Sequence, residues 1–206
     1  MPLLVKPPAA AGGNAPPARH RISRVWCAAL LLSPLVLTVP AAAAQTTVLA
    51  PVQQNNDFQE ATVLYRDGQY DRALTRVDAW LKTRPKDARG RFLRGMILTQ
   101  QKKTDEAARV YAELTNDFPE LPEPYNNLAV IYADQGDLYK ARSLLESAVR
   151  ANAAFTAAHE NLGDIHARLA AVSYENALKF DAANKSAAAK LKTVNEMIPP
   201  RGPAAK

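Results

Sequence analysis

Two histidines have a spacing that could support metal chemistry. His159 and His166 are seven residues apart, which places them on one face of an α-helix, and Glu160 and Asp164 lie between them. Imidazole and carboxylate groups in such a cluster can bind zinc and activate a water molecule for hydrolysis. The alternative is that both histidines pack between helices, and the repeat pattern described below favours that interpretation.

Other catalytic patterns are absent from the sequence. Cys27 is the single cysteine, so the chain offers no disulfide pair and no thiolate metal site. There is no glycine-rich phosphate loop, no G-x-S-x-G elbow and no H-E-x-x-H pair. Paired carboxylates such as Asp105 and Glu106 precede apolar periodic segments, where the helix dipole accounts for them. We therefore predict a protein that is not an enzyme, with no cofactor and no metal.

Residues 1–44 have the organisation of a secretory signal peptide. A basic region with Arg19, Arg21 and Arg24 precedes an apolar run over 25–39, and alanines at 42–44 satisfy the A-x-A cleavage rule. Cleavage before Gln45 would give a protein exported to the periplasm of a Gram-negative-type envelope. The alternative is an uncleaved membrane anchor, although the apolar run is shorter than the ~20 residues that span a bilayer.

The net charge of +6 comes mostly from this leader. Four of the 26 lysines and arginines lie in the first 24 residues, which hold none of the 20 acidic residues. Without them the excess falls to two, so we predict no nucleic-acid partner.

The remaining chain repeats itself every 34 residues. Alanines recur at this step, and so do two prolines and a series of four small residues; these are Ala73, Ala107 and Ala141, then Pro85 and Pro119, then Ala61, Gly95, Ala129 and Gly163. We expect the four small residues to lie where two helices approach closely. Inside each unit, apolar residues follow a helical period on both sides of a turn such as Gly136-Asp137, which predicts two amphipathic helices per unit.

These residues resemble the tetratricopeptide repeat. Unit 122–155 is the closest to its pattern, through Tyr125, Leu128, Ala129, Tyr132, Gly136, Ala141, Leu145 and Ala148. Units 54–87 and 88–121 match at fewer positions. The resemblance implies an all-α, right-handed solenoid of helix-turn-helix repeats over residues 54–198, preceded by a linker at 45–53.

The fourth unit, 156–182, departs from the pattern because about five residues of its turn are missing. We expect one continuous helix from about Ala157 to Phe180, then a capping helix at 186–198 and a disordered tail at 199–206. In repeat register His159 and His166 replace Tyr125 and Tyr132, which is why we interpret both histidines as packing residues.

The resemblance also implies a concave face lined by the first helix of each unit, which can bind a peptide or a partner protein. The asparagine amides there could hold an extended backbone, and the aromatic and Met side chains could anchor it. The predicted site residues are Phe58, Tyr65, Arg89, Phe92, Met96, Asn126, Asn127, Asn161 and Asp164. The alternative is that the asparagines satisfy local helix contacts and that Phe58 and Phe92 belong to the core.

A basic cluster between the first two units leaves a second function open. It consists of Arg84, Lys86, Arg89, Arg91 and Arg94, and is either a solvated connection or a face for anionic lipid or an acidic partner. The first hypothesis is therefore a periplasmic scaffold that binds a protein or peptide. The second is a membrane-anchored structural or cargo-holding envelope protein that contacts lipid or an acidic partner through this cluster, if the leader is not cleaved.

Overall fold

The structure is a computed structural model that describes residues 51–198 of the chain, with side chains from residue 57 onward. These residues form eight α-helices and no strand, and each helix contacts the next one along the chain. The helices are α1 (Pro51–Arg66), α2 (Tyr70–Thr83), α3 (Ala88–Gln100), α4 (Thr104–Asp117), α5 (Pro122–Asp134), α6 (Leu138–Ala151), α7 (Thr156–Phe180) and α8 (Lys185–Met197). The predicted all-α repeat solenoid is confirmed.

The second helix of each of the first three units buries one apolar face. Residues spaced by three or four positions point inward, as expected for an amphipathic helix. They are Ala73, Val77 and Trp80 in α2, Ala107, Val110, Tyr111 and Leu114 in α4, and Ala141, Leu145 and Ala148 in α6. The recurring alanines are completely buried, which explains why only a small residue fits there.

The turns inside these units use one left-handed residue each. Gly68 and Gly136 have φ values of 74° and 87°, where glycine has no steric penalty. The corresponding position in the second unit is Lys102, with φ 61°. A lysine in this conformation carries strain that glycine would not.

Three of the four predicted close approaches exist. Ala61 and Ala129 are buried, and a Cβ added to Gly95 would lie 2.7 Å from Cε1 of Tyr111. The prediction is wrong for Gly163, because a Cβ there would meet no heavy atom within 4 Å. Its unit has no second helix folded back against it.

The fourth unit contains the single helix α7, which is 25 residues long. The first half of α7 continues the solenoid, with Ala158 and Ile165 packed into a cluster with α5 and α6. The helix α8 packs against α7. Within α8, only Ala187 has less than one tenth of its surface exposed. The solenoid therefore ends on a thin cap whose outer face is solvated.

The linker predicted at 45–53 is wrong in its last three residues. The helix α1 begins at Pro51, a residue that is favourable in the first turn because it lacks the N–H that helix hydrogen bonding leaves unused. The rest of the linker, the leader at 1–44 and the tail at 199–206 lie outside the described residues. Among residues 51–198, no helix is long and apolar enough to cross a membrane.

Candidate functional site

Three asparagines predicted to line the concave face form a buried chain of hydrogen bonds. Asn161 of α7 donates to Oδ1 of Asn126 at 2.7 Å, and Asn126 donates to Oδ1 of Asn127 at 3.3 Å. Asn127 in turn donates to the Tyr111 hydroxyl at 3.3 Å. The exposed fractions of the three asparagines are 4%, 0% and 0%. The prediction that these amides are displayed for a peptide backbone is therefore wrong, and the alternative of local helix contacts describes them.

Tyr111 is the acceptor at the end of this series of asparagine hydrogen bonds. Its position in the repeat did not predict that role. Its side chain is completely buried on α4 against Gly95 of α3. Burial raises the pKa of Tyr111 to about 12, against smaller lowering effects of hydrogen bonds with Thr99 and Asn127. The hydroxyl is neutral at physiological pH, so the chain joins α4, α5 and α7 without burying a charge. The sequence signal that could have predicted the burial of this ring is Gly95, sixteen residues before Tyr111.

Phe92 and Met96 lie in the core. Phe92 is 9% exposed and Met96 is 1% exposed, and the Phe92 ring centroid is 5.8 Å from that of Tyr111. The prediction that they are open apolar anchors is therefore wrong. Both lie on the first helix of the second unit, where the apolar stripe is wide enough to pack on both neighbouring helix pairs.

The accessible part of the predicted face lies at its N-terminal end, between α1 and α3, which contact each other. Phe58 is half-buried, with its ring 5.6 Å from that of Trp80 and 5.5 Å from the Arg89 guanidinium carbon. Tyr65 is half-buried beside Tyr70, and burial raises the pKa of its hydroxyl despite a hydrogen bond with Gln100. The Arg89 side chain is 74% exposed. The structure thus places Arg89 against the Phe58 ring, with Tyr65 on the same face of α1 two turns further along.

Asp164 lies apart from these residues, at the other end of the solenoid. It is half-buried and lines a small recess between α5, α6 and α7 together with Asn161, Val130 and Arg168. The nine predicted site residues are therefore not one continuous surface. Three are accessible at one end, five are buried, and Asp164 is half-open at the other end.

The basic cluster is mostly engaged by the protein itself. Arg91 binds Glu113 at 3.2 Å and also Asp117, although only 12% of its side chain is exposed. Arg94 binds Asp78 at 2.8 Å, and Arg84 stacks over Trp80 with its guanidinium carbon 4.0 Å from the ring centroid. Arg91 and Arg94 therefore replace apolar packing residues with ion pairs that join α3 to α4 and α2.

The two histidines are not packing residues, so that interpretation is wrong. His159 and His166 are both exposed, and His159 makes only a local contact, 2.9 Å from Nε2 to the Ala153 carbonyl oxygen. The tyrosines in register with them, Tyr125 and Tyr132, are half-buried in the cluster with α6. Within residues 57–198, no group of three or more histidine, cysteine or acidic side chains is placed to hold a metal ion.

Comparison with known proteins agrees with this architecture. Two family models described as tetratricopeptide repeat match residues 58–122 and 98–165, together more than half of the chain. The chain belongs to the tetratricopeptide-repeat family. No curated protein matches it.

Several solved structures have the same fold. A thermophilic repeat protein of Thermus thermophilus is 22% identical with a TM-score of 0.53, covering 71% of this chain and 83% of its own. The Yersinia enterocolitica type III secretion chaperone SycD, solved with a peptide of the translocator YopD, is 20% identical with a TM-score of 0.53, covering 56% and 94%. MamA of Desulfovibrio magneticus is 25% identical with a TM-score of 0.51, covering 70% and 75%.

Proposed function

We propose that this protein is a non-catalytic scaffold that binds a segment of a partner protein on the N-terminal end of its concave face. The observation that carries the proposal is the contact of the exposed Arg89 of α3 with the Phe58 ring of α1, beside which Tyr65 lies on the same face of α1. Aromatic and arginine side chains are the types most enriched among residues that dominate protein interfaces. Their neighbours Phe92 and Met96 are buried, which gives this end of the face a rigid floor.

The charge of the group indicates the partner's chemistry. Arg89 contacts Asp87 only at 3.5 Å and keeps most of its side chain in solvent. A partner segment with an apolar side chain for the rings and a carboxylate for Arg89 would use both features. SycD with its YopD peptide and the first repeat domain of RPAP3 with an HSP90 peptide show that similar folds hold peptides, which supports this proposal.

The proposal includes export. The basic, apolar and small-residue order of residues 1–44 supports secretion to the periplasm and release before Gln45. Mass spectrometry of the protein isolated from its native envelope tests this. A mature N-terminus at Gln45 is expected, and a chain that retains residues 1–44 would contradict it.

A pair of charge reversals tests the binding site. Arg89→Glu places a carboxylate beside the aromatic rings, whereas Arg109→Glu makes the same change at an exposed position on α4. We expect partner recovery in a crosslinking pull-down from the native envelope to fall at least about tenfold with Arg89→Glu, since a close charge pair contributes about 1.5 kcal/mol or more. Recovery should be unchanged with Arg109→Glu.

Circular dichroism first establishes that both variants are as helical as the parent protein. Equal recovery by the parent and both variants would remove the site from this end of the face. Equal loss in both variants would also contradict the proposal, because it would show that charge alone, and not position, controls binding.

A further inference from the structure

The first three units share a contact that the fourth unit lacks. In each of them a small residue of the first helix and a residue sixteen positions later on the second helix are buried in the same part of the core, and in the second unit the contact between them is direct. The pairs are Ala61 with Val77, Gly95 with Tyr111, and Ala129 with Leu145. Every residue of these pairs is buried. This contact closes the helix pair of the unit.

The residue types for the same contact are present in the fourth unit. Gly163 follows Ala129 by 34 residues, and an Ala-x-x-x-Tyr-x-x-Ala pattern follows it on the second half of α7. That pattern has the spacing of Ala141, Leu145 and Ala148; its residues are Ala170, Tyr174 and Ala177. Gly163 and Tyr174 therefore correspond to Gly95 and Tyr111, a glycine opposite a tyrosine.

Among residues 57–198, neither half of this contact is completed. Gly163 is exposed with no heavy atom within 4 Å of a built Cβ, and Tyr174 is only half-buried. The two residues share one face of α7, eleven residues or about 16 Å apart along a straight helix. Because α7 is continuous, the second half of the helix does not fold back onto the first.

We propose that a second copy of this chain completes the contact, in a two-fold dimer in which the α7 helices pack antiparallel. With the axis between residues 168 and 169, Gly163 of each protomer lies against Tyr174 of the partner subunit, and the contact forms twice. Each protomer thus supplies the missing second helix of the other's fourth unit. Loss of a connecting turn is the change that converts a helix hairpin into an exchanged dimer.

The position of α8 is compatible with this arrangement. In the complete units the second helix contacts both the first helix of its own unit and the first helix of the next, as α6 contacts α5 and α7. In the fourth unit α8 takes the place of the next helix, with Lys190 Nζ 5.8 Å from the centre of the Tyr174 ring. The first helix of its own unit does not pack against this second half of α7, which explains why Tyr174 is only half-buried.

The oligomeric state of the full chain is the first test. We expect light scattering to give a dimer, and Gly163→Arg to give a monomer, because the new side chain occupies the place of the partner's Tyr174. Within one chain the substitution meets open space, so helicity should be kept. The control Asn176→Arg changes an exposed residue on the far side of α7 and should leave the dimer intact.

A disulfide test fixes the register. Gly163→Cys and Tyr174→Cys are placed on separate copies, each in a Cys27→Ser background and each with a tag of different size, and the copies are coexpressed. Oxidation should link unlike copies only, since a disulfide requires Cα atoms within about 7 Å. A monomeric parent protein overturns the proposal and leaves this face to a different protein. A dimer that survives Gly163→Arg or forms no mixed disulfide overturns it as well.

Discussion

Asparagine side chains on the first helices of the repeats can bind a ligand or stabilise the fold. Here their hydrogen-bond distances show that they stabilise the fold. Asn161 and Asn126 are 2.7 Å apart from donor to acceptor, and both are buried. A buried amide that loses its partner keeps the cost of desolvation without the hydrogen bond. The three asparagines therefore form hydrogen bonds that connect neighbouring repeats, and each such bond is called a polar joint below.

This predicts the effect of removing one joint. Asn161→Ala leaves Oδ1 of Asn126 without its donor and should lower the free energy of unfolding by about 1 to 3 kcal/mol. The matched control Asn176→Ala, at an exposed position of the same helix, should change it by less than about 0.5 kcal/mol. Urea denaturation measures both, and an equally small change in the two variants would contradict the joint.

Lys102 supplies a second prediction at the residue scale. Its φ of 61° is the conformation that glycine adopts at the same place in the neighbouring units. Lys102→Gly should raise the free energy of unfolding by about 0.5 to 1 kcal/mol through release of strain, partly offset by the freedom of glycine in the unfolded chain.

The control for Lys102 is the opposite change at a glycine. Gly136→Ala forces a side chain into φ 87° and should destabilise the protein by about 1 kcal/mol or more. Thermal unfolding distinguishes the signs. A loss of stability in Lys102→Gly would mean that the lysine side chain contributes more than its backbone costs.

At the scale of elements, the helix pair α3 and α4 depends on one close approach. Gly95→Ala would bring Cβ to 2.7 Å from Cε1 of Tyr111, too close without a shift of the ring or the helix. We expect it to destabilise the protein by about 1 to 3 kcal/mol. Tyr111→Leu alone should also destabilise it, because it removes a buried ring and the hydrogen bond with Asn127.

The two changes together reproduce the residues of the third unit, where Ala129 and Leu145 hold the positions of Gly95 and Tyr111. The double variant should therefore lose less stability than the sum of the single variants, with a coupling energy of about 1 kcal/mol or more. A double-mutant cycle by urea denaturation gives this value. Strict additivity would show that the two residues do not limit each other's packing.

Sequence periodicity was sufficient for most elements, because the 34-residue step and the turn residues each constrain local structure. It placed the helix pairs and the single long helix that replaces the fourth pair. It failed where a position depends on a neighbour outside its own helix. His159 and His166 have the register of packing residues but are exposed, since the helix that would cover them is not folded against them.

The candidate site was harder to predict than the fold for the same reason. Register shows which side of a helix a residue faces but not whether the next repeat covers it. Phe92 and Met96 proved to be core, while Phe58 and Arg89 remained accessible at the end of the solenoid, where fewer helices pack. The presence of Arg91 and Arg94 at packing positions is explained by their acidic partners, which lie more than fifteen residues away in the sequence.

At the scale of the whole solenoid, as residues 57–198 show it, the middle is filled by its own packing and the N-terminal end is accessible. Burial of the amide chain fixes the later repeats against each other, and burial of Phe92 and Met96 in α3 supports the N-terminal end of the face. A rigid surface loses less entropy when it binds a partner. A small entropy loss on binding favours the scaffold role proposed above.

Site-specific photocrosslinking tests the proposed binding face most directly. A photoreactive phenylalanine analogue replaces either Tyr65, on the proposed binding face, or Tyr139, which is 67% exposed on α6. Irradiation of cells that produce the full chain should give a discrete adduct with one partner protein from position 65 and none from position 139. The same adduct from both positions, or an adduct from position 139 alone, would contradict a binding site between α1 and α3.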